Sequence, residues 1–381
     1  MNKQLDRLLK ISEKEEKYII GLMSGTSLDG LDIALCRIKG QGRDTELHVD
    51  RFYTWEYPEE LKERISSVAS KEMVNQKELT ILHSLLGDIV SQQILEALEK
   101  WQVAAENIDL IASHGQTVFH SPLSYNTDRS ATFQIIDADH IAHQTGIITI
   151  SDFRQKHTAR GGQGAPLSAI FDEYLFRHDA ENRVLLNLGG IGNFTYLPSL
   201  ASDKEGISTD TGPANTLINE AMLRYFNLPY DKGGKIAAEG IVNQELLKVM
   251  KEHEFFQRSL PKTTGPEDFN LGKVLKGAEI EEIYSKLTSL IVTLTQLSID
   301  SIAGTIELVT QGESIHIYVS GGGMHNKTMM LGLREKLPNA EVHPLEKIGI
   351  EGDAKEAAMM AFFANELIMG SDYELGKISL P

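Results

Sequence analysis

Three glycine-rich turns and a few carboxylates carry the chemistry open to this chain. The first turn is Ser24-Gly25-Thr26-Ser27-Leu28-Asp29-Gly30, continued by Leu31 and Asp32. Small residues let backbone N–H groups close on phosphate oxygens, hydroxyls add hydrogen bonds, and Asp29 or Asp32 offers a carboxylate for Mg2+, directly or through water. No Gly-Lys-Ser/Thr follows, so it is not a Walker loop, and the dinucleotide Gly-x-Gly-x-x-Gly is missing too. An ordinary hairpin tip has the same composition, and that reading stays open. The second turn, Asn187-Leu-Gly189-Gly190-Ile-Gly-Asn193, could grip the far side of the same phosphate chain or simply mark a β-bulge. The third, Gly321-Gly322-Gly323-Met-His-Asn326, permits the flat approach of a ring such as adenine, or serves as a tight strand-to-helix turn. As a set, three such turns at the ends of apolar strands are what a nucleotide held between two domains requires.

For acid–base work the candidates are Asp210 in Thr-Asp-Thr-Gly-Pro, Asp152 in Ser-Asp-Phe-Arg154, and Glu356. A carboxylate beside backbone N–H donors stays ionised and can take a proton from water or a hydroxyl. Each has a structural alternative: a helix N-cap for Asp210, an ion pair with Arg154 for Asp152, a favourable first-turn charge for Glu356. His114, in Ser-His-Gly-Gln-Thr117, ends a buried strand among polar residues, where a structural hydrogen bond is its default role.

These residues need a frame. Tyr18–Met23 and Leu31–Ile38 read as two strands of a hairpin, and Arg183–Leu197 repeats the pattern of apolar strand, glycine turn and apolar strand. Asp109–Ser113, Ile147–Ile150 and His316–Ser320 read as buried strands. Ile81–Trp101, Ala214–Tyr225, Ile280–Val309 and Ala354–Met369 have helical periodicity. At 381 residues the chain exceeds what one core usually serves, which predicts two domains. The net charge of −17 argues against nucleic acid as a partner. The one cysteine, Cys36, excludes an internal disulfide and predicts a small buried strand residue. The N-terminal stretch through Lys17 is too charged for a signal peptide and reads as a surface helix, and the most apolar stretch, Leu290–Val309, is interrupted by Gln296, Asp300 and Glu307. The expectation is a cytoplasmic protein with no membrane segment.

Gly21-Leu-Met-Ser-Gly-Thr-Ser-Leu-Asp-Gly30 resembles the opening motif of the anhydro-N-acetylmuramic acid kinase family. Further blocks resemble that family in its order: Ser113–Thr117, Asp152-Phe-Arg154, Gly161–Leu167, Leu186–Gly190 with Asn193, Asp210–Asn215, Lys262–Gly265 with Phe269-Asn270, and Gly321–Gly323 with His325-Asn326. The chain departs from the family's pattern at Gln155, where a second arginine is common, and at Pro266.

The resemblance implies an α/β, two-domain actin-like ATPase (ribonuclease H-like) fold with the active site in the interdomain cleft. Its N-terminal domain would take residues 1–160 and about 360–381, and its C-terminal domain residues 161–359. It further implies ATP and Mg2+, a homodimer, and transfer of a phosphoryl group to O6 of 1,6-anhydro-N-acetylmuramic acid with hydrolytic opening of the anhydro ring. On that mapping Asp210 is the catalytic base; Glu356, Asp152, Arg154, His114 and Thr117 serve the sugar; and the three glycine turns bind nucleotide. A kinase for another sugar, or a chaperone- or actin-like ATPase without sugar chemistry, are the rival readings.

Overall fold

The computed structural model describes residues 2–25, 28–121, 123, 129–265, 268–275, 287–371 and 375–381. Its strands are β1 (Glu16–Ser24), β2 (Gly30–Lys39), β3 (Glu46–Glu56), β4 (Leu110–Ser121), β5 (Ala131–Ile135), β6 (Ile148–Ser151), β7 (Arg183–Leu188), β8 (Ile191–Leu197), β9 (Ile207–Pro213), β10 (Ile315–Ser320), β11 (Ala340–Pro344) and β12 (Lys377–Ser379). The chain divides into two units, one of residues 1–175 and 354–381, the other of residues 176–353.

In the first unit β1 and β2 form the expected hairpin, with Met23 opposite Asp32. The strand order is β12-β6-β4-β1-β2-β3, and β5 pairs with β4. β1, β4 and β6 are parallel, whereas β2 runs antiparallel to β1 and β3. Apolar residues of β1, β2 and β4 pack on the helix Gln76–Trp101, giving a core that includes Ile20, Ile33, Leu86, Ile94 and Ile111. Cys36 is fully buried on β2. The N-terminal charged segment forms the helix Lys3–Ser12, capped by the Asn2 side chain on Gln4 N–H.

The helix Lys355–Met369 lies close against β1, and the reason is Gly21. A Cβ built there would fall 1.9 Å from the carbonyl oxygen of Ala357, so only a residue without a side chain lets strand and helix approach this closely.

The second unit repeats the frame. Its order is β11-β10-β7-β8-β9; β7 pairs antiparallel with β8 and parallel with β10, and β8 and β9 are antiparallel. With β5 and β12 set aside, the strands of each unit read 3-2-1-4-5 with the second strand reversed, in keeping with the ribonuclease H-like fold expected above. The repeat visible in sequence as two glycine hairpins therefore extends through five strands of each sheet.

The helix Leu287–Thr310 is long and apolar enough to cross a membrane by composition alone, but 67% of its most apolar window is buried inside the protein. Leu290, Leu294, Leu297, Ile302 and Ile306 join Leu186, Phe194 and Ile317 in the core of this unit, which accounts for the hydrophobicity. Helical periodicity begins at Ile280 in the sequence; residues 280–286 lie outside the described residues.

Candidate active site

The two units are built around different polar groups, and each group sits where its sheet departs from regular pairing. In the second unit Ser320, Asn187, Asn193 and Asp210 are successive lateral neighbours across β10, β7, β8 and β9. They lie toward the carboxyl ends of the parallel strands β7 and β10, where open α/β sheets usually hold their ligands. The pairing of β8 with β9 shifts between Gly192 and Asn193, leaving Thr211 as the extra residue of a bulge. The Thr211 hydroxyl fixes the bulge by donating to the carbonyl of Gly192 at 2.9 Å. Bulges re-aim neighbouring side chains, and here the neighbour is Asp210.

Asp210 is thus a strand residue beside a bulge. The helix that follows, Thr216–Phe226, has Asn215 at its cap position, so the N-cap alternative for Asp210 is wrong. The Asp210 carboxylate accepts the backbone N–H of Thr264 at 2.8 Å. Desolvation, only partly opposed by that bond, raises its pKa to about 6. A carboxylate tuned to this range is ionised at neutral pH and is a stronger base than an exposed aspartate.

The turn Gly189-Gly190 is tied to the same helix. The carbonyl of Gly190 accepts N–H bonds from Ala214, Asn215 and Thr216. The Asn215 side-chain amide donates to Leu188 at 2.8 Å and Gly189 at 2.7 Å. Asn193 and Gly189-Gly190 therefore share one corner of the sheet with Asp210. The third glycine turn folds against this corner: Gly321 has φ +81°, and a Cβ on Gly323 would meet Leu188 at 2.7 Å.

Beside Gly322 and Asn326 opens a recess of about 480 Å3, also lined by Asn215, Ile218, Tyr230 and Lys232. An aromatic ring, an aliphatic side chain, a lysine and an open glycine suit a nucleoside. The Asn326 side chain itself accepts the N–H of Met329 and caps the helix Lys327–Lys336. Asn215, Tyr230 and Lys232 escaped the sequence reading of the site. The pair Gly233-Gly234 beside Lys232, each with positive φ, was the signal available.

In the first unit the break beside the polar group lies on β4; a separate shift opposite Leu35 and Cys36 leaves Asp50 as an extra residue on β3. Leu22 pairs with Ser113 but Ser24 pairs with Gln116, so His114 and Gly115 stand against the single residue Met23. His114 is buried; its Nδ1–H donates to the carbonyl of Gly115 at 2.8 Å, and its Nε2 accepts the Nε–H of Arg154 at 2.5 Å. Burial, reinforced by the adjacent guanidinium, depresses its pKa to about 3, so the ring is neutral. Arg154 also donates to Gly164 O at 2.8 Å. That arrangement replaces the alternative of an ion pair with Asp152. Asp152 stands between β6 and the helix Phe153–Ala159 with φ +60°, a left-handed conformation concentrated at functional sites.

Glu356 lies in the first turn of the helix Lys355–Met369 and is accessible to solvent. Desolvation nevertheless raises its pKa, with Arg154 and Lys355 opposing the rise and Asp29 adding to it. Thr117, on β4, accepts from Gln134 at 3.2 Å. Of the first glycine turn, Thr26 and Ser27 lie outside the described residues. At its base Ser24 donates to Gln116, and Gln116 donates to Gly25 O at 3.1 Å. Asp29 O accepts the N–H of Tyr57 at 3.1 Å, and Asp32 accepts the hydroxyl of Thr54 at 2.6 Å. Gly30 passes close to β3, where a Cβ would fall 2.5 Å from Trp55 O. Leu28 packs on the core of this unit, and Leu31 is part of it.

A model of the family described as anhydro-N-acetylmuramic acid kinase matches residues 17–373. The chain is 43% identical to the anhydro-N-acetylmuramic acid kinase of Pseudoalteromonas atlantica, over 99% of this chain and 96% of that protein. It is 37% identical to the enzyme of the same name from Caldanaerobacter subterraneus, over 96% of this chain and 95% of that protein. With matches of this extent on a chain that carries Asp210 and the glycine turns, the protein belongs to the anhydro-N-acetylmuramic acid kinase family.

Proposed function

We propose that this kinase transfers the γ-phosphoryl group of ATP to O6 of 1,6-anhydro-N-acetylmuramic acid while water opens the anhydro ring, giving N-acetylmuramic acid 6-phosphate for cell-wall recycling. The observation that carries the reading is Asp210, a carboxylate with a pKa of about 6 beside a bulge that aims it. In the proposed reaction Asp210 takes a proton from the water that attacks C1. The C1–O6 bond breaks, its electron pair passes to O6, and O6 attacks the γ-phosphorus, so that cleavage itself supplies the nucleophile. The departing group is ADP. An ordinary sugar kinase instead uses its base to deprotonate a hydroxyl of the acceptor.

The residues present fit the nucleotide. The recess beside Gly322 suits a nucleoside, and the Gly189-Gly190 turn with Asn215 offers small-residue backbone for phosphates. Mg2+, bound through Asp29 or Asp32, would neutralise charge on the phosphate oxygens. Arg154, held by His114, would pair with an anionic group of the sugar, and Asp152, Thr117 and Glu356 would bind its hydroxyl and amide groups. We further propose a cytoplasmic homodimer.

Incubation with Mg-ATP and 1,6-anhydro-N-acetylmuramic acid, followed by mass spectrometry, should give a product heavier than substrate by one phosphoryl group and one water. Equal or better turnover of N-acetylmuramic acid or glucose, or ADP release with no sugar product, would overturn the reading.

A further inference from the structure

β11 is an edge strand of the second sheet. Its parallel pairing sets His316 beside Glu341 and Tyr318 beside His343. The two-residue period of a strand puts Glu341 and His343 on one face, while Ala340 and Val342 pack on the core from the other. Two imidazoles and a carboxylate are thereby gathered away from the core, and none of the three residues has a role in the site described above.

Glu341 Oε2 lies 3.8 Å from His316 Nδ1 and 3.4 Å from His343 Nε2. One ligand atom from each of the three residues lies within 4.8 Å of the others. Ligands about 2.1 Å from a tetrahedral zinc ion stand about 3.4 Å apart, so the cluster needs only side-chain adjustments of about an ångström. His316 and His343 are half-buried, and Glu341 is exposed enough to move. The two rings are already near-parallel, 17° apart with centroids at 5.9 Å.

We propose that His316, Glu341 and His343 form a binding site for a divalent transition metal of the zinc class, with the fourth position open to water. Imidazole nitrogens select such an ion over Mg2+, which prefers an all-oxygen shell, so the site does not compete for the metal of Mg-ATP. Bound there, the ion ties an edge strand to its neighbour and restrains an exposed edge. The Lys347 ammonium, 3.2 Å from His343 Nδ1, is the group a cation displaces, and its flexible exposed stem lets it leave.

The test uses the full chain without an affinity tag, stripped with chelator and titrated with Zn2+, and with Co2+ as a spectroscopic probe. One equivalent should bind in the presence of saturating Mg-ATP, with the visible absorption of low-coordinate Co2+. His316→Gln and His343→Gln should each weaken Zn2+ binding at least about 10-fold, since even second-shell changes cost that much. Lys347→Ala should tighten it. Unchanged turnover and circular dichroism establish that the variants are folded. Absence of a saturable site, or an affinity in either histidine variant unchanged from that of the parent chain, overturns the assignment.

Discussion

The two units share one strand order, but the break beside the polar group falls on a different strand in each, and that break decides what each presents. In the first the extra residue falls on β4, the fourth strand of the frame, and delivers a buried neutral His114 that clamps Arg154. In the second it falls on β9, the third strand, and delivers the half-buried carboxylate of Asp210. A repeated scaffold thus yields a fixed cation in one unit and a tuned base in the other. The supports differ in kind as well. The first hairpin rests on side-chain bonds, Ser24 to Gln116 and Gln116 to Gly25. The second rests on backbone carbonyls gathered by one helix and one asparagine.

The sharpest way to break the comparison is Asp210→Asn. If the second unit supplies the base, turnover measured by ADP release should fall by about 10^3-fold or more, with ATP binding retained. The same substitution should raise stability. The folded-state pKa lies above the unfolded value, so ionised Asp210 subtracts stability above about pH 6 and that cost is relieved as pH falls through 6 toward 3.8. At pH 7 thermal melts should show Asp210→Asn more stable by on the order of 2 kcal/mol, and at pH 4 no gain.

Next in size is the frame. Gly21→Ala drives a methyl group into Ala357 O and should cost about 3 kcal/mol in urea denaturation, whereas Gly189, whose Cβ would meet nothing nearer than 3.5 Å, should tolerate alanine at under about 1 kcal/mol. Equal costs would mean the two hairpins are supported alike. Asn215→Ala removes both bonds to the β7–β8 turn and should raise KM for ATP about 10-fold, with a smaller change in kcat.

The smallest effects lie in pH dependence. The acidic limb of kcat should have an apparent pKa near 6, from Asp210. His114 acts on stability with the opposite sign to Asp210. Its folded pKa of about 3 lies below the unfolded 6.5, so its contribution is whole above pH 6.5 and lost as pH falls toward 3. Melts of His114→Gln between pH 7 and 4 should show a shallower acid loss than the parent chain; an unchanged slope would mean that His114 is not held neutral.

Sequence by itself determined the hairpins, the helices and the family, because strand alternation, glycine turns and motif order are local properties of the chain. It located Asp210, Arg154 and His114, yet left a helix cap open for the first, an ion pair with Asp152 for the second, and a structural hydrogen bond as the default role of the third. Tertiary structure decided among them. Asp210 proved to be a strand residue since a bulge at Thr211, set by pairing with Gly192, re-aims that strand. Arg154 turned to His114 because the sheet brings β4 to it from 40 residues away. The lining by Tyr230, Lys232 and Asn215, and the meeting of His316 with Glu341 and His343, depend on distant segments packing together. Burial, hydrogen bonding and the pKa values that follow belong to those contacts, and no local pattern encodes them.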